Sequence, residues 1–217
     1  MIALKNIFTL LCLTTCPLQA AKEIELKISI TEQQYPHLQE WLKNNAVYKG
    51  VSQQTEYYVT NPETPWNESK GFKDTAITMR VRQESKGDTF CYKQAHFDSA
   101  TKKPTHRDEY ETKVESGTTI LQILTLLGYT RHTLLSKKRT TYLVRDTFEI
   151  VLDEVQGVGN FIEIELKIPT DNVQTGIRSI EALLREISIT QFTQYERSYI
   201  HMIWNPGYNF GTQRTLT

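Results

Sequence analysis

Apolar and polar residues alternate along most of the chain after residue 22, which is the period-two pattern of β-strands with two unlike faces. The alternation predicts strands near residues 23–30, 51–60, 76–85, 89–95, 106–114, 134–145, 147–154 and 160–168. Turn residues fall between them where hairpins need a turn, as in Lys86-Gly87-Asp88 and Gly157-Val158-Gly159. The pattern therefore indicates an antiparallel sheet of eight strands.

Helical spacing interrupts this alternation. It predicts helices over residues 31–46, 117–128 and 173–187, the first opened by a capping box from Thr31 to Gln34. A fourth, short helix is predicted from Tyr195 to Ile203. Together these elements predict an α+β fold, a closed eight-stranded antiparallel β-barrel with helices packed outside it. We expect one domain at residues 22–203, followed by a loose C-terminal tail at 204–217.

Charged residues share one face within each of several predicted strands. In Glu23-Ile24-Glu25-Leu26-Lys27 the three charges lie on one side and the two aliphatic residues on the other. The other sets are Arg80 and Arg82; Arg107, Glu109, Glu111 and Lys113; Lys137 and Arg139; and Glu163, Glu165 and Lys167. For a single strand, a solvated outer face is the simpler interpretation. However, the helices need an apolar sheet face to cover, so the charged faces are left to converge inside the barrel.

The charges are also sorted by sign into acidic pairs and basic pairs. Like charges two residues apart on a strand lie about 6.7 Å apart and repel by roughly 2.5 kcal/mol at an effective dielectric constant near 20. A solvated face would more often mix the two signs. Sorted pairs therefore indicate a bound divalent cation at the carboxylates and a bound polyanion at the arginine and lysine rows.

The pentapeptide Glu-Ile-Glu-Leu-Lys occurs twice, at residues 23–27 and 163–167, in the first and the last predicted strands. If these two strands pair, four carboxylates face one another, and Asp153 on the preceding strand is a fifth. Oxygen ligands in that number suit Mg²⁺ or Mn²⁺. The five histidines are too dispersed along the chain to indicate zinc.

Composition limits the class of partner. The 217 residues are enough for one domain with a sizeable core. Lysine plus arginine equals aspartate plus glutamate at 25 each, so no overall field would attract nucleic acid or an anionic membrane surface. An anion-binding site must therefore be local, and we expect a small anionic partner rather than nucleic acid.

Residues 1–20 resemble a secretory signal peptide. One cation, Lys5, precedes an apolar run at residues 7–13, and the small residue Ala20 marks a cleavage point. The run is far shorter than the roughly 20 apolar residues of a membrane span, so no transmembrane segment is predicted in the mature chain. We predict a periplasmic or secreted protein. The alternative is a cytoplasmic protein with a short N-terminal helix, and lipid attachment at Cys16 ranks below simple cleavage.

The ordered motifs resemble those of the CYTH superfamily, which includes class IV adenylyl cyclases, thiamine triphosphatases and inorganic triphosphatases. They cover roughly residues 23 to 200 and begin with an ExExK signature. The motifs are Glu23-Ile24-Glu25-Leu26-Lys27, Gln54-Thr55-Glu56-Tyr57-Tyr58, Arg80-Val81-Arg82, Tyr92-Lys93, Arg107-Asp108-Glu109-Tyr110-Glu111, Lys137-Lys138-Arg139, Leu152-Asp153-Glu154-Val155 and Gly159-Asn160-Phe161-Ile162-Glu163-Ile164-Glu165. The resemblance implies a triphosphate tunnel, an eight-stranded antiparallel barrel with a charged lumen.

The resemblance also implies roles for individual residues. Divalent ions would be held by Glu23, Glu25, Asp153, Glu163 and Glu165. The triphosphate would be bound by Lys27, Arg80, Arg82, Lys93, Arg107, Lys137 and Arg139. Lys27, Glu109 and Glu111 are the candidate catalytic residues, with metal binding, water positioning or pairing with cations left open for the two glutamates. Glu56 stands where many members have aspartate and is interpreted as structural, and Cys91 as a packing residue.

Three functions remain open at this point. The first is Mg²⁺- or Mn²⁺-dependent hydrolysis of the terminal phosphoanhydride of inorganic triphosphate, thiamine triphosphate or ATP. The second is cyclisation of ATP to cyclic AMP and pyrophosphate, and the third is a non-catalytic polyphosphate- or nucleotide-binding module. Export favours hydrolysis because ATP is scarce outside the cytoplasm, and five carboxylates would give a pure anion binder no advantage. The apolar outer face is also suited to a homodimer.

Overall fold

The computed structural model describes residues 21–22, 24–60, 77–97, 104–168 and 172–217. Its helices are α1 (Tyr35–Asn45), α2 (Gly117–Leu126), α3 (Val173–Glu186) and α4 (Tyr199–Trp204). Its strands are β1 (Ala21–Lys22), β2 (Glu25–Ser29), β3 (Val47–Thr60), β4 (Ile77–Glu84), β5 (Asp88–Phe97), β6 (Pro104–Val114), β7 (Thr130–Val144), β8 (Phe148–Val155), β9 (Gly159–Leu166), β10 (Gln191–Tyr195) and β11 (Gly211–Thr215).

Within the described residues the strands form one antiparallel sheet in the order β1-β6-β5-β4-β3-β7-β8-β9-β2-β10-β11. The predicted strands correspond to β2 through β9. The expected pairing of the first and last of them is present, because β2 lies antiparallel to β9 with Lys27 opposite Glu163. The predicted α+β class and antiparallel architecture are therefore confirmed.

The barrel is not closed by a continuous ladder between β2 and β6 in the part of the chain that is described. The free edge of β2 is occupied by β10, with Tyr195 opposite Lys27. The edge of β6 is occupied by the two residues of β1 instead. Because β1 and β2 follow each other in the chain, one N-terminal segment pairs with β6 through β1 and with β9 through β2. Strand β10, which was not predicted, takes the position that a closing strand would need.

Helices α1 and α3 cover the outer face of β2, β8 and β9. The core between them contains Ile28, Leu42, Ile164 and Leu184, all at most 1% exposed. Helix α3 approaches the sheet closely at Gly176, where an added Cβ would lie 2.7 Å from Cδ1 of Ile24. Helix α2 covers β4 in the same way, and its Leu121 packs in one buried cluster with Val81 of β4. As predicted, the apolar strand faces point outward to helices and the charged faces are left inside.

Side-chain caps mark the start of two of the predicted helices. The predicted capping box does not open α1: Gln34 accepts a hydrogen bond of 3.0 Å from the Thr31 amide, but this contact closes a preceding turn, and the helix begins at Tyr35 without a side-chain cap. Ser116 accepts from the Thr119 amide at the start of α2, and Asn172 accepts from the Thr175 amide at the start of α3.

The fourth helix differs from its predicted position. Residue 195 ends β10, and α4 begins only at Tyr199. This helix does not pack outside the barrel, because Tyr199 and its neighbour Ile200 join a buried cluster with Tyr58, Leu135 and Phe161. Those three side chains share the inner strand faces with the charged residues. Helix α4 therefore fills part of the lumen with apolar side chains.

The predicted loose tail is wrong for residues 211–216. The strand β11 pairs with β10 over its whole length, from Gly211 opposite Tyr195 to Thr215 opposite Gln191. Leu216 is 8% exposed and belongs to the same core as α3. The tail is ordered because β10 offers it an unpaired edge, a feature that only the folded sheet creates.

None of the described helices is both long and apolar enough to cross a membrane. The predicted signal peptide at residues 1–20 lies outside the described residues, so export stays a prediction.

Candidate active site

The inner strand faces enclose a cavity of about 500 Å³. This is in the usual size range for small-molecule sites. Most of the predicted site residues line it: Glu25, Lys27, Arg80, Arg82, Lys93, Glu109, Glu111, Lys137, Arg139, Glu163 and Glu165. Glu23 and the side chain of Arg107 lie outside what the structure describes. The inward convergence of charge that the sequence predicted is thus present in the fold.

One wall of the cavity carries a row of carboxylates on three adjacent strands. Glu25 on β2 lies opposite Glu165 on β9, and Glu165 in turn lies opposite Glu149 on β8. Side chains directly opposite each other on one face have Cβ atoms about 4.5–5.5 Å apart. We call Glu25, Glu149 and Glu165 the acidic row. Sequence reasoning missed Glu149, although the alternation Phe148-Glu149-Ile150 places it on the same face as Asp153.

The acidic row fits a hard divalent cation. Three carboxylates at one level of a sheet repel one another. Lys167, at 3.0 Å from Glu165, offsets part of that repulsion, and a cation between the carboxylates would offset the rest. Their donor atoms are all oxygens, the ligands that Mg²⁺ and Mn²⁺ prefer. Glu163 also lines the cavity, but it is paired with Lys27 at 3.1 Å and with Arg139 at 2.5 Å. Burial would raise the pKa of Glu163, yet Lys27 and Arg139 hold it well below its usual range.

The cations converge on one buried carboxylate, Glu56, which is 0% exposed. Its Oε1 atom lies 3.3 Å from Arg80, 3.0 Å from Arg82 and 3.5 Å from Lys137. The Tyr58 hydroxyl donates to its other oxygen at 3.1 Å. Burial would raise the pKa of Glu56, but Arg80, Lys137 and Arg82 hold it well below its usual range. Glu56 is therefore ionised and holds these three cations in place. We call Arg80, Arg82, Lys137 and Arg139 the basic wall.

Lys137 has an environment of mixed charge. Burial and then the neighbouring Arg139 lower the pKa of Lys137 to about 8, against the opposite influence of Glu56 and Asp153. Its ammonium also lies 5.2 Å from the centre of the Tyr199 ring. Lys137 therefore loses its charge as the pH rises through about 8.

The structure does not place Asp153 where the sequence predicted it. The Asp153 side chain is not part of the cavity lining and is 1% exposed. Arg139 donates to it from Nε at 2.7 Å and from Nη2 at 2.5 Å, and the Tyr199 hydroxyl donates at 2.9 Å. Helix α4, which the sequence placed outside the barrel, carries the tyrosine that covers this carboxylate. Asp153 is thus joined to the cavity carboxylate Glu163 through Arg139 but lies behind that arginine and Tyr199, and its predicted role as a metal ligand stays a prediction.

The two candidate catalytic glutamates lie on β6, on the other side of the cavity. Glu109 lies 2.6 Å from Lys93, and Glu111 lies 3.1 Å from Arg80. The Cys91 thiol donates to Glu109 at 3.0 Å, and donor atoms of Cys91, Glu109 and Glu111 lie within 4.8 Å of one another. Burial raises the pKa of the Cys91 thiol to about 12, so the thiol is protonated at neutral pH and is not an activated nucleophile.

The C-terminal segment contributes cavity residues that no motif identified. Tyr195, Arg197, Ser198 and His201 line the cavity next to Lys27, whose ammonium lies 3.4 Å from the Arg197 carbonyl oxygen. They enter the site because β10 pairs with β2. A period-two pattern in Phe192-Thr193-Gln194-Tyr195 was the available signal, but it is too short to separate a strand from a loop.

Comparison with known proteins agrees with this architecture. Residues 21–199 match the CYTH domain family. A protein of Methanocaldococcus jannaschii, provisionally named an adenylate cyclase, is 27% identical over 134 residues, 61% of this chain and 74% of that protein. A solved structure from Pyrococcus horikoshii superposes with a TM-score of 0.62 at 24% identity, over 83% of this chain and 97% of the other.

A Hippeastrum protein described as an adenylyl cyclase with a dominant triphosphatase activity has the same fold. Its structure gives a TM-score of 0.58 at 15% identity, over 83% of this chain and 93% of the other. At these identities the two structures show the fold alone. The match to the family, in contrast, covers nearly all of the chain that carries the barrel, and the protein therefore belongs to the CYTH domain family.

Proposed function

We propose that the protein is a metal-dependent triphosphatase that hydrolyses the terminal phosphoanhydride of inorganic or organic triphosphates in this cavity. The main support is the division of the cavity into a basic wall and an acidic row. A chain of phosphates needs charge neutralisation and positioning more than covalent chemistry. Both are available from side chains that already line one cavity.

Arg80 has a buried side-chain donor that no described residue satisfies. Its Nη1 and Nη2 atoms contact Glu56 and Glu111, but its buried Nε has no hydrogen-bond partner among the described residues. Buried donors are rarely left unpaired, because the unmade bond costs about 1–3 kcal/mol. A phosphate oxygen is the acceptor that this position suits best.

The acidic row would hold the metal, which would supply charge neutralisation on the phosphate chain when bound. Arg82, Arg139 and Lys137 would orient the phosphates from the basic wall. Glu111, whose side chain is 36% exposed, is the carboxylate best placed to orient a water and accept its proton. Attack of that water on the terminal phosphorus would break the bond to the bridging oxygen and release orthophosphate.

The alternative is an adenylyl cyclase that converts ATP to cyclic AMP and pyrophosphate. The provisional name of the Methanocaldococcus jannaschii relative favours it, at 27% identity. The same basic wall would hold the phosphates, with the α-phosphorus presented to the ribose 3′-hydroxyl.

The test is to incubate the purified chain, with and without residues 1–20, with inorganic triphosphate, thiamine triphosphate or ATP. Each reaction would contain Mg²⁺, Mn²⁺ or EDTA, and chromatography would resolve orthophosphate, pyrophosphate and cyclic AMP. We expect metal-dependent orthophosphate release that is lost in Arg82→Ala. Lys138→Ala is the matched control, because Lys138 lies one residue from Lys137 but pairs with exposed Glu154. Cyclic AMP with equal pyrophosphate would establish the cyclase instead, and binding without turnover would leave a binding module.

A further inference from the structure

Two carboxylates on the inner strand faces are more deeply buried than the acids that line the opposite parts of the cavity. The side chains of Asp153 and Glu56 are 0% and 1% exposed, whereas those of Glu109, Glu163 and Glu111 are 9%, 13% and 36% exposed. An ionised carboxylate at such depth requires counter-charges and hydrogen bonds. The identity of those partners therefore determines what each carboxylate can do.

Asp153 is saturated by protein donors. Arg139 Nε binds its Oδ1, while Arg139 Nη2 and the Tyr199 hydroxyl bind its Oδ2. The Lys137 ammonium lies 3.5 Å from the same Oδ2. These contacts use most of the acceptor sites of one carboxylate. A metal ion could reach Asp153 only by displacing Arg139 or the Tyr199 ring.

Two ammonium groups make that position still less suitable for a cation. Lys27 lies 4.3 Å and Lys137 5.2 Å from the centre of the Tyr199 ring, beside the carboxylate that the ring covers. A divalent ion at Asp153 would face both of them, together with Arg139. The acidic row has Lys167 at 3.0 Å from Glu165, but there Glu25 lies opposite Glu165 and Glu165 opposite Glu149, so carboxylates outnumber that ammonium.

Glu56 is the counter-charge of the other two arginines of the basic wall, as Asp153 is for Arg139. It contacts Arg80, Arg82 and Lys137. Lys137 lies 3.5 Å from Glu56 and 3.5 Å from Asp153, so one ammonium joins the two carboxylates. Every arginine of the described basic wall is thereby anchored by at least one of them.

We infer that Asp153 and Glu56 are positioning residues, which fix Arg139, Arg80 and Arg82 for an incoming triphosphate, and that neither is a metal ligand. The inference rests on the proposed function, since it concerns the same anion site. A side chain fixed before binding loses less conformational entropy when the ligand arrives. This role of Asp153 differs from the metal-binding role that the family resemblance implies.

The test separates metal binding from anion binding in the full-length chain. Mn²⁺ alone would be titrated by electron paramagnetic resonance, and inorganic triphosphate would be titrated by calorimetry in EDTA. The variants are Asp153→Asn, Glu56→Gln and Glu165→Gln. Glu154→Gln is the control, since Glu154 follows Asp153 but is exposed and pairs with Lys138.

We expect Asp153→Asn and Glu56→Gln to weaken triphosphate binding at least tenfold and to leave Mn²⁺ affinity within twofold of the native value. Glu165→Gln should show the opposite pattern, with Mn²⁺ affinity reduced at least tenfold. The sign of the anion effect is informative. Removing a negative charge would strengthen binding if only the potential mattered, whereas the loss of positioning weakens it.

The inference is overturned if Asp153→Asn lowers Mn²⁺ affinity as strongly as Glu165→Gln, or if neither buried carboxylate variant weakens triphosphate binding. Tyr199→Phe provides a variant with every charge intact, because it removes only the hydroxyl that donates to Asp153. It should weaken triphosphate binding two- to fivefold without changing Mn²⁺ affinity. Turnover is a separate measurement: a native chain that binds triphosphate without hydrolysing it contradicts the proposed hydrolysis and leaves this comparison valid.

Discussion

Glu25 on β2 lies directly opposite Glu165 on β9, so two carboxylates share one cross-strand position on the inner face of the barrel. Like charges in that arrangement destabilise a sheet, by on the order of 0.2–1 kcal/mol. We expect Glu25→Gln to raise the Tm of the metal-free protein by about 1–3 °C. Thermal unfolding in EDTA measures this, and Glu154→Gln on the outer face should give no increase.

In Glu25→Gln, added metal should raise the Tm by less than it does in the native protein. Mg²⁺ or Mn²⁺ that binds the native acidic row raises the Tm of the folded chain by mass action. Glu25→Gln removes one ligand, so its Tm should rise less than that of the native protein at equal metal concentration. A full metal-dependent rise in Glu25→Gln would show that the ion binds elsewhere.

Arg80→Lys tests the whole Arg80 guanidinium, which includes the unpaired Nε and the two nitrogens that contact Glu56 and Glu111. The substitution keeps a positive charge near Glu56 but removes the planar guanidinium, including Nε. A hydrogen bond to a charged group contributes about 1.5–3 kcal/mol, which corresponds to a roughly 10- to 100-fold lower kcat/KM. Steady-state kinetics with inorganic triphosphate measure it. Retention of native kcat/KM would mean that charge alone suffices at this position.

Lys137 should give triphosphate binding a pH dependence. Its pKa is about 8 in the folded protein and 10.5 without burial, so its charge is lost as pH rises through about 8. Affinity for inorganic triphosphate should therefore fall above pH 8, as measured by calorimetry from pH 6.5 to 9.5. Lys137→Arg controls for ionisation of the phosphate itself, because arginine stays charged and should remove this step.

The same pKa shift has a defined effect on stability. Between pH 8 and 10.5 the unfolded chain holds a proton on Lys137 that the folded chain has released. Unfolding takes up that proton, so this group makes the free energy of unfolding rise with pH over that window. Urea unfolding at pH 8 and pH 10 should show a larger increase for the native protein than for Lys137→Arg.

Leu216 tests the ordered C-terminus. It is 8% exposed in the core beneath α3, and Leu→Ala in a core costs about 2–5 kcal/mol. We expect Leu216→Ala to lower the free energy of unfolding by about 2–3 kcal/mol in urea titrations, near the lower end because the site is at the chain terminus. Thr212→Ala, at an exposed position of β11, should change it by less than about 0.5 kcal/mol.

The predicted signal peptide makes a prediction about processing. If residues 1–20 direct export, the protein recovered outside the cytoplasm of its native cells should begin near Ala21. Mass spectrometry of the intact protein measures this directly. A chain recovered from the cytoplasm that retains Met1 or Ile2 would contradict export.

Much of the fold follows from local patterns. The alternation that predicted eight strands depends only on neighbouring residues, because successive side chains of a strand point to opposite faces. The same rule placed Arg80 with Arg82, and Glu163 with Glu165, on one face. Since helices cover the apolar face, the inward convergence of these charges also followed from the sequence.

The partners of each charge were not available from sequence. Asp153 and Glu165 look alike as acidic residues on amphipathic strands, yet one is sealed by Arg139 and Tyr199 while the other lines the cavity. The difference comes from α4, which reaches the lumen only because β10 pairs with β2.

The sequence by itself therefore determined the secondary structure of the barrel, the face on which each charge lies and the family. The tertiary structure decided the sealed position of Asp153, the shared counter-charge at Glu56, the inclusion of Glu149 in the acidic row and the order of the C-terminus. The physical reason is the distance along the chain over which each property is determined. The face that a side chain occupies is set by the backbone within a few residues, whereas burial and ion pairing depend on segments that are distant in the chain and meet only after folding.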